Sequence, residues 1–272
     1  MRAKSASYPY LVWMVLFIVV PMALVVAFAL TDRSGAFTLK NLAGVGLYSN
    51  VFLRSIWLGA IATAVSLLVG YPLAYIIAKS AGHRQGVLVM LVMLPMWMNF
   101  LLRTYAWMTL LEDSGLINRA LAALGLPPAH MINTQGAVVL GMVYNYIPYM
   151  ILPLYSVLTK IDPSVIEAAQ DLGADAKRVF LRITLPLSMP GVISGITMVF
   201  VPAVSTFIIS KMLGGGSNLL IGDLIDMQFL GSAYNPNLGS AISLVLMVLI
   251  LICMGIMNQF DENGATEGGV LV

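Results

Sequence analysis

Apolar residues run along this chain in long blocks. Five blocks are free of charge and about 20 residues long: Tyr10–Leu30, Ile56–Ala78, Ala137–Leu158, Leu187–Ser210 and Leu238–Met257. A sixth, Val87–Leu111, is uncharged up to Leu102 and carries Arg103 near one end. A helix needs about 20 apolar residues to cross the hydrocarbon of a bilayer. Lipid offers no partner to open backbone groups, so helices are expected, and the alternation of a barrel strand is missing. The pattern predicts an all-α membrane protein with six transmembrane helices. A cytoplasmic N-terminal tail (1–9) precedes a membrane domain (10–257), and a cytoplasmic C-terminal tail (258–272) follows it. Tyr10–Leu30 starts after Arg2 and Lys4 and contains Ala27-Phe28-Ala29, as a cleaved leader would. Its apolar stretch is longer than the roughly 7–15 residues of a signal core, so it reads as a retained first span.

Composition supports the same class. Of 272 residues, 60% are hydrophobic and 10% charged, with a mean hydropathy of +0.92. A soluble domain carries about 25% charged residues, so an ordinary soluble enzyme, a disordered chain and a nucleic-acid binder are excluded. The net charge of +2 points to no anionic partner, and the single cysteine, Cys253, forms no disulfide framework. With the N-terminus inside, the inner connections hold eight cations (Arg2, Lys4, Lys79, Arg84, Lys160, Lys177, Arg178, Arg182). The outer ones hold six (Arg33, Lys40, Arg54, Arg103, Arg119, Lys211). The excess favours both termini in the cytoplasm. Prolines recur inside the spans, and Gly191–Gly195 forms a G-x-x-x-G that permits close helix contact.

One polar island interrupts this pattern. Residues 160–182 hold eight charges in 23 positions. Asp162 can cap a helix whose first residue is Pro163, a position that needs no N–H. Val165, Ala169 and Leu172 share one helical face, while Glu167, Gln170 and Asp171 are polar. Gly173 supplies a stop, and a second short helical stretch follows over Asp175–Leu181. Small residues beside Glu167 would let a partner's backbone approach, so the island reads as a docking surface for a soluble protein.

Glu167-Ala168-Ala169, Gly173 and Ile183-Thr184-Leu185-Pro186 match the pattern EAA-x3-G-x9-I-x-L-P without a gap. This resembles the permease subunits of binding-protein-dependent ABC importers. Arg103-Thr104-Tyr105-Ala106-Trp107, Leu152–Ser156, Asn218–Asp223 and Gln228-Phe229-Leu230 look like the spermidine/putrescine branch, and most like the first of its two permeases. The likeness runs from about Tyr10 to Met257; the acidic tail departs from it. The resemblance implies a type I importer permease (MetI-like) fold with a cytoplasmic coupling-helix pair in a bacterial inner membrane. It implies coupling through Glu167, Ala168, Ala169, Asp171, Gly173, Ile183, Leu185 and Pro186. The implied partners are a cytoplasmic ATPase dimer, a second permease and an extracytoplasmic binding protein, with membrane lipid around the bundle.

The sequence contains no G-x-x-x-x-G-K-[ST], and Gly214-Gly215-Gly216 lacks the lysine that would hold a phosphate. No cofactor is therefore expected on this chain, and ATP with magnesium belongs to the ATPase. No Asp or Glu lies inside any span. Polycations would have to meet aromatic, amide and outer acidic groups. The path candidates are Trp97, Asn99, Tyr105, Trp107, Tyr144, Asn145, Tyr149, Asp223 and Asp226, and Arg103 is read as snorkelling to headgroups. Another small solute, such as an amino-acid derivative, thiamine or ferric iron, is the rival cargo. An intramembrane enzyme would want a base within a span, and a secondary transporter would want ionisable groups at the midplane. Neither is present.

Overall fold

The computed structural model describes residues 7–267 except Ser232. Arg2, Lys4 and the ends of both expected tails (1–6 and 268–272) lie outside the described residues. Twelve helices are defined among the described residues, with no strand beyond an isolated Thr31–Phe37 bridge. They are α1 (Pro9–Ala29), α2 (Lys40–Ala78), α3 (Gly82–Trp97), α4 (Phe100–Leu111), α5 (Leu116–Ala123) and α6 (Gln135–Leu158). After these come α7 (Pro163–Asp171), α8 (Ala176–Leu187), α9 (Met189–Ser205), α10 (Ile208–Leu213), α11 (Ile221–Phe229) and α12 (Pro236–Glu267). Four helices are long and apolar enough to cross a membrane, or six if each of two bent pairs counts as one.

The helices extend beyond the apolar runs, because a run marks lipid depth rather than helix length. The second span, expected from Ile56, belongs to a helix that begins at Lys40 and includes Arg54, whose Nη1 donates to the Ser217 carbonyl at 3.1 Å. The third, expected as one helix over 87–111, is two segments bent by 88°. Pro95 sits in the last turn of α3, Met98 is extended, and Asn99 restarts the chain as α4 by accepting from Leu101 N at 2.9 Å. The fifth, expected over 187–210, ends at Ser205 and is bent by 62° from α8 at Ser188, between Pro186 and Pro190.

α2, α6 and α9 form the core, with Leu58, Ala62, Met142, Met150, Leu154 and Val199 buried between them. A side chain on Gly191 would meet the Pro153 carbonyl oxygen at 3.1 Å and Leu154 Cα at 3.2 Å. At Gly195 it would meet Met150 Sδ at 2.7 Å. Both glycines of the expected G-x-x-x-G therefore seat α9 on the backbone of α6. A second cluster joins α12, α11 and the start of α2, with Val45, Ile221, Ala241 and Ile242 buried. Asn237, at the start of α12, donates to the Phe28 and Thr31 carbonyls at the end of α1. Gly44, near the start of α2, packs on Leu238. The start of α1 and the far end of α12 thus lie at the end of the bundle that carries α7.

Overpacking at such a contact typically costs about 1–3 kcal/mol. Gly191→Leu is expected to lower the melting temperature of the detergent-purified chain. Gly86→Leu, where no atom lies within 4 Å of the added carbon, is expected to leave it unchanged. Thermal unfolding monitored by intrinsic fluorescence checks both.

Candidate functional site

The polar island folds as the sequence suggests at its start. Asp162 Oδ1 accepts from Ser164 N at 2.9 Å, and Pro163 occupies the first helical position of α7. Hydrogen bonds from Ser164 hold the Asp162 carboxyl below the usual carboxylate range. The cap is therefore intact at neutral pH and is lost only as the pH falls through that lowered value. At the other end Gly173 has φ +82°, in the left-handed region. Gly173 N donates to the Gln170 carbonyl at 2.8 Å and Ala174 N to the Ala169 carbonyl at 3.0 Å, a Schellman closure. Asp175 then caps α8 by accepting from Arg178 N at 3.0 Å.

Among the described residues none covers the outward face of α7. Leu172 is 90% and Val165 44% exposed; Glu167, Ala168 and Asp171 are also exposed, and Ala169 is half-buried. Ile166 turns inward, toward a cleft of about 470 Å³ between α7 and the ends of α2 and α6. Tyr75, Lys79, Glu167, Gln170 and Thr184 also line it. Beyond Gly173 the chain locks back onto the bundle. Phe180 packs edge-on against Tyr71 at 5.7 Å and Tyr75 at 6.1 Å. Tyr71 Oη and Ser188 Oγ are 2.8 Å apart, at the bend that leads into α9. Ile183 and Leu185 are half-buried on this side, and Pro186 stands exposed at the bend. The expected helical stretch over Asp175–Leu181 continues to Leu187 through a π turn at Phe180–Thr184. Sequence reasoning does not single out Tyr71, Tyr75, Phe180 and Ser188. An aromatic pair at i, i+4 on α2 facing an aromatic on α8 was the available signal.

The nine path candidates do not gather in one pocket. Trp97 is 69% exposed at the end of α3, Asn99 caps α4, and Tyr105 lies on the exposed face of α4. Trp107 and Tyr144 meet edge-on at 5.4 Å beside a shallow groove of about 390 Å³. Asn145 is buried; its Nδ2 donates to the Gly141 carbonyl at 2.8 Å, while Oδ1 has no partner among the described residues. Tyr149 is half-exposed and lies 6.4 Å from the buried Tyr146. Asp223 is buried and accepts from Leu220 N at 2.9 Å, starting α11. Burial pushes its carboxyl up, against opposing hydrogen bonds from Ser210 and Leu220. Asp226 pairs with Lys211 at 3.2 Å, and both acids line a cavity of about 170 Å³ with Lys211 and Ser210. Arg103, expected to snorkel, is buried: only 7% of its surface is open, and Nε and Nη1 have no partner among the described residues.

A helical membrane bundle with two broken spans, and a capped helix standing free of it at one end, has the form of an importer permease. Residues 70–263 match the family model described as binding-protein-dependent transport system inner membrane component. The chain belongs to this family. It is 38% identical over 260 residues to the spermidine/putrescine transport system permease protein PotB of Haemophilus influenzae, covering 92% of this chain and 91% of that one. It is likewise 38% identical to PotB of Escherichia coli, over 90% and 91% of the two chains. The inner membrane ABC transporter permease protein YdcU of Escherichia coli is 28% identical over 84% of this chain and 77% of its own. Among solved structures, a bacterial ABC transporter that imports the acidic polysaccharide alginate superposes with a TM-score of 0.78 at 18% identity, over 96% of this chain and 95% of that one. An inward-facing methionine ABC transporter superposes with a TM-score of 0.60 at 15% identity, over 80% and 96%. The fold is therefore that of the ABC importer permeases.

The packing of α8 on α2 has a direct check. Tyr71→Phe removes one buried hydrogen bond, worth about 1 kcal/mol. Phe180→Ala removes a ring wedged between two others, and its cost should approach about 3 kcal/mol. Both are expected to lower the melting temperature of the purified chain, Phe180→Ala by more.

Proposed function

We propose that this chain is one of two membrane-spanning subunits of an ATP-driven importer of polyamines of the spermidine/putrescine class. A separate cytoplasmic ATPase dimer binds ATP with magnesium and hydrolyses it, and an extracytoplasmic binding protein delivers the solute. Both termini lie on the ATPase side. The observation that carries the reading is α7, a capped helix whose apolar side faces away from its own chain. The 38% identity to the PotB permeases over nine-tenths of both chains supports the cargo.

The mechanism follows from rigid connections. α7 fits into the ATPase and moves with it. Gly173 fixes the angle to α8, and Phe180 carries the displacement to Tyr71 and Tyr75 on α2. The bend at Ser188 takes up the change before α9. ATP thereby shifts the bundle between two openings, because it binds one arrangement of the ATPase pair better than the other. Ammonium groups would travel past tyrosine faces, such as the exposed one of Tyr149.

Glu167→Lys, and Gly173→Val at a left-handed position that costs an ordinary residue about 1–2 kcal/mol, are expected to abolish ATP-dependent uptake while membrane insertion persists. Gly173→Asn, which tolerates that conformation, is expected to retain much of it. Uptake of labelled spermidine and putrescine by the reconstituted complex is the measurement. Uptake of neither by the wild type, with uptake of another solute, would contradict the polyamine assignment.

A further inference from the structure

The cleft between α7 and the bundle holds two opposite charges that do not meet. Lys79, just past the end of α2, stands on one wall. Glu167, with Gln170 one turn further along α7, stands on the other. Among the described residues no carboxylate lies within 4.0 Å of Lys79, and no cation within 4.0 Å of Glu167. The Lys79 ammonium rests on the Tyr75 ring, 5.0 Å from its centroid. That contact still leaves N–H donors for an oxygen. All three polar side chains are exposed, so a ligand can reach them. Leu158, Ile161 and Ile166 give the cleft an apolar flank, and its volume of about 470 Å³ suits a small molecule.

Its position narrows what can enter. The apolar runs of α2 and α6 end at Ala78 and Leu158, and both residues line the cleft. The cleft therefore lies at headgroup depth, just outside the hydrocarbon. Along α2, Val65, Leu68, Pro72 and Ile76 are exposed at helical spacing and lead to Lys79. This stripe is uncharged and faces lipid, and Lys79 at its end belongs to both the stripe and the cleft. Basic pockets at the ends of membrane helices are places where lipid headgroups are held. The proposed ATPase contact uses the outward face of α7 and leaves this inner side open.

Charge and shape then choose the occupant. The Lys79 wall suits a phosphate, and the Glu167 wall suits a cation on the same molecule. That cation must carry N–H groups, because the Glu167 carboxylate and the Gln170 amide oxygen accept hydrogen bonds. The apolar flank suits the glycerol and upper acyl chains that a soluble phosphate ester lacks. We infer that the cleft binds the headgroup of one phosphatidylethanolamine from the leaflet on that side. Its phosphate lies on Lys79, and its ammonium on Glu167 and Gln170. The lipid ties α7 to α2 from the membrane side. The inference needs the two spans, but neither the cargo nor the ATPase assignment.

Native mass spectrometry of the delipidated, detergent-purified full-length chain tests it. The probes are phosphatidylethanolamine, phosphatidylcholine and phosphatidylglycerol with the same acyl chains, and tail-free glycerophosphoethanolamine. The wild type is expected to retain one phosphatidylethanolamine about tenfold more tightly than either other lipid. The trimethylated choline offers no N–H, and glycerol offers Glu167 no cation. The tail-free headgroup is expected not to be retained. Lys79→Met and Gln170→Leu should each remove most of the preference, whereas Lys79→Arg should keep it. Both side chains are exposed, so the lipid-free variants should melt with the wild type. Equal retention of the three lipids would overturn the inference. So would retention of the tail-free headgroup in their place, or an undiminished preference in both variants. Uptake plays no part in this measurement, so failure of the polyamine assignment would leave its result standing.

Discussion

The close approach of α9 to α6 is the contact on which the rest of the molecule depends. Gly191 and Gly195 leave no room for a side chain between the two backbones. That contact fixes α9 beside the core while both of its ends are broken, one at Ser188 and one at Thr206. A helix held in the middle and free to bend at both ends can pass on a displacement without unpacking. Lipid cannot supply hydrogen bonds to an opened backbone, so the breaks need protein partners. At Ser188 the Leu185 carbonyl accepts from Ser188 Oγ at 2.9 Å, and that hydroxyl lies 2.8 Å from Tyr71 Oη. At the other break Gly222 lets α11 come against the Ser205 and Thr206 carbonyls, where an added side chain would sit only 2.5 Å from either oxygen.

The end that carries α7 and the far end use polar groups differently. Around α7 the charges are exposed and their pairings local, as with Asp162 on Ser164 and Asp175 on Arg178. Little is buried there, and the helix pair is shaped by caps and one left-handed glycine. At the far end the polar groups are buried and hold chain breaks together. Asp223 starts α11, Ser55 accepts from Ile221 N, and Asn118 ties α5 to Ala129. Removing a cap at the first end should disturb coupling, whereas removing a buried bond at the second should disturb the bundle itself.

Much of this arrangement was legible in the sequence, wherever local chemistry decides the outcome. The cap at Asp162, the stop at Gly173 and the close contact at Gly191–Gly195 each depend on residues a few positions apart. The six apolar blocks were also legible, because lipid depth is a property of composition. The bends were not, since Pro95 and Pro186 could equally have been accommodated in straight helices. Arg54 ended a block by its charge yet lies inside α2, because the Ser217 carbonyl, 163 positions away, receives it. Asp223 and Asp226 looked available to a cation, but the first caps a helix and the second holds Lys211. The burial of Arg103 depends on how α4 sits against the rest of the bundle. Such facts depend on tertiary placement, which periodicity does not contain.

The central claim is that α7 is the place where an ATPase acts on this chain. Contact at Leu172 tests it most directly, because that side chain is almost wholly exposed and lies next to the left-handed Gly173. Cys253 is the only cysteine, so a Cys253→Ala background accepts a single photoreactive label at Leu172→Cys. Irradiation of the active, co-expressed complex is expected to yield an adduct between this chain and the ATPase subunit. Adducts confined to lipid or to the second permease, in a complex that still transports, would contradict the account.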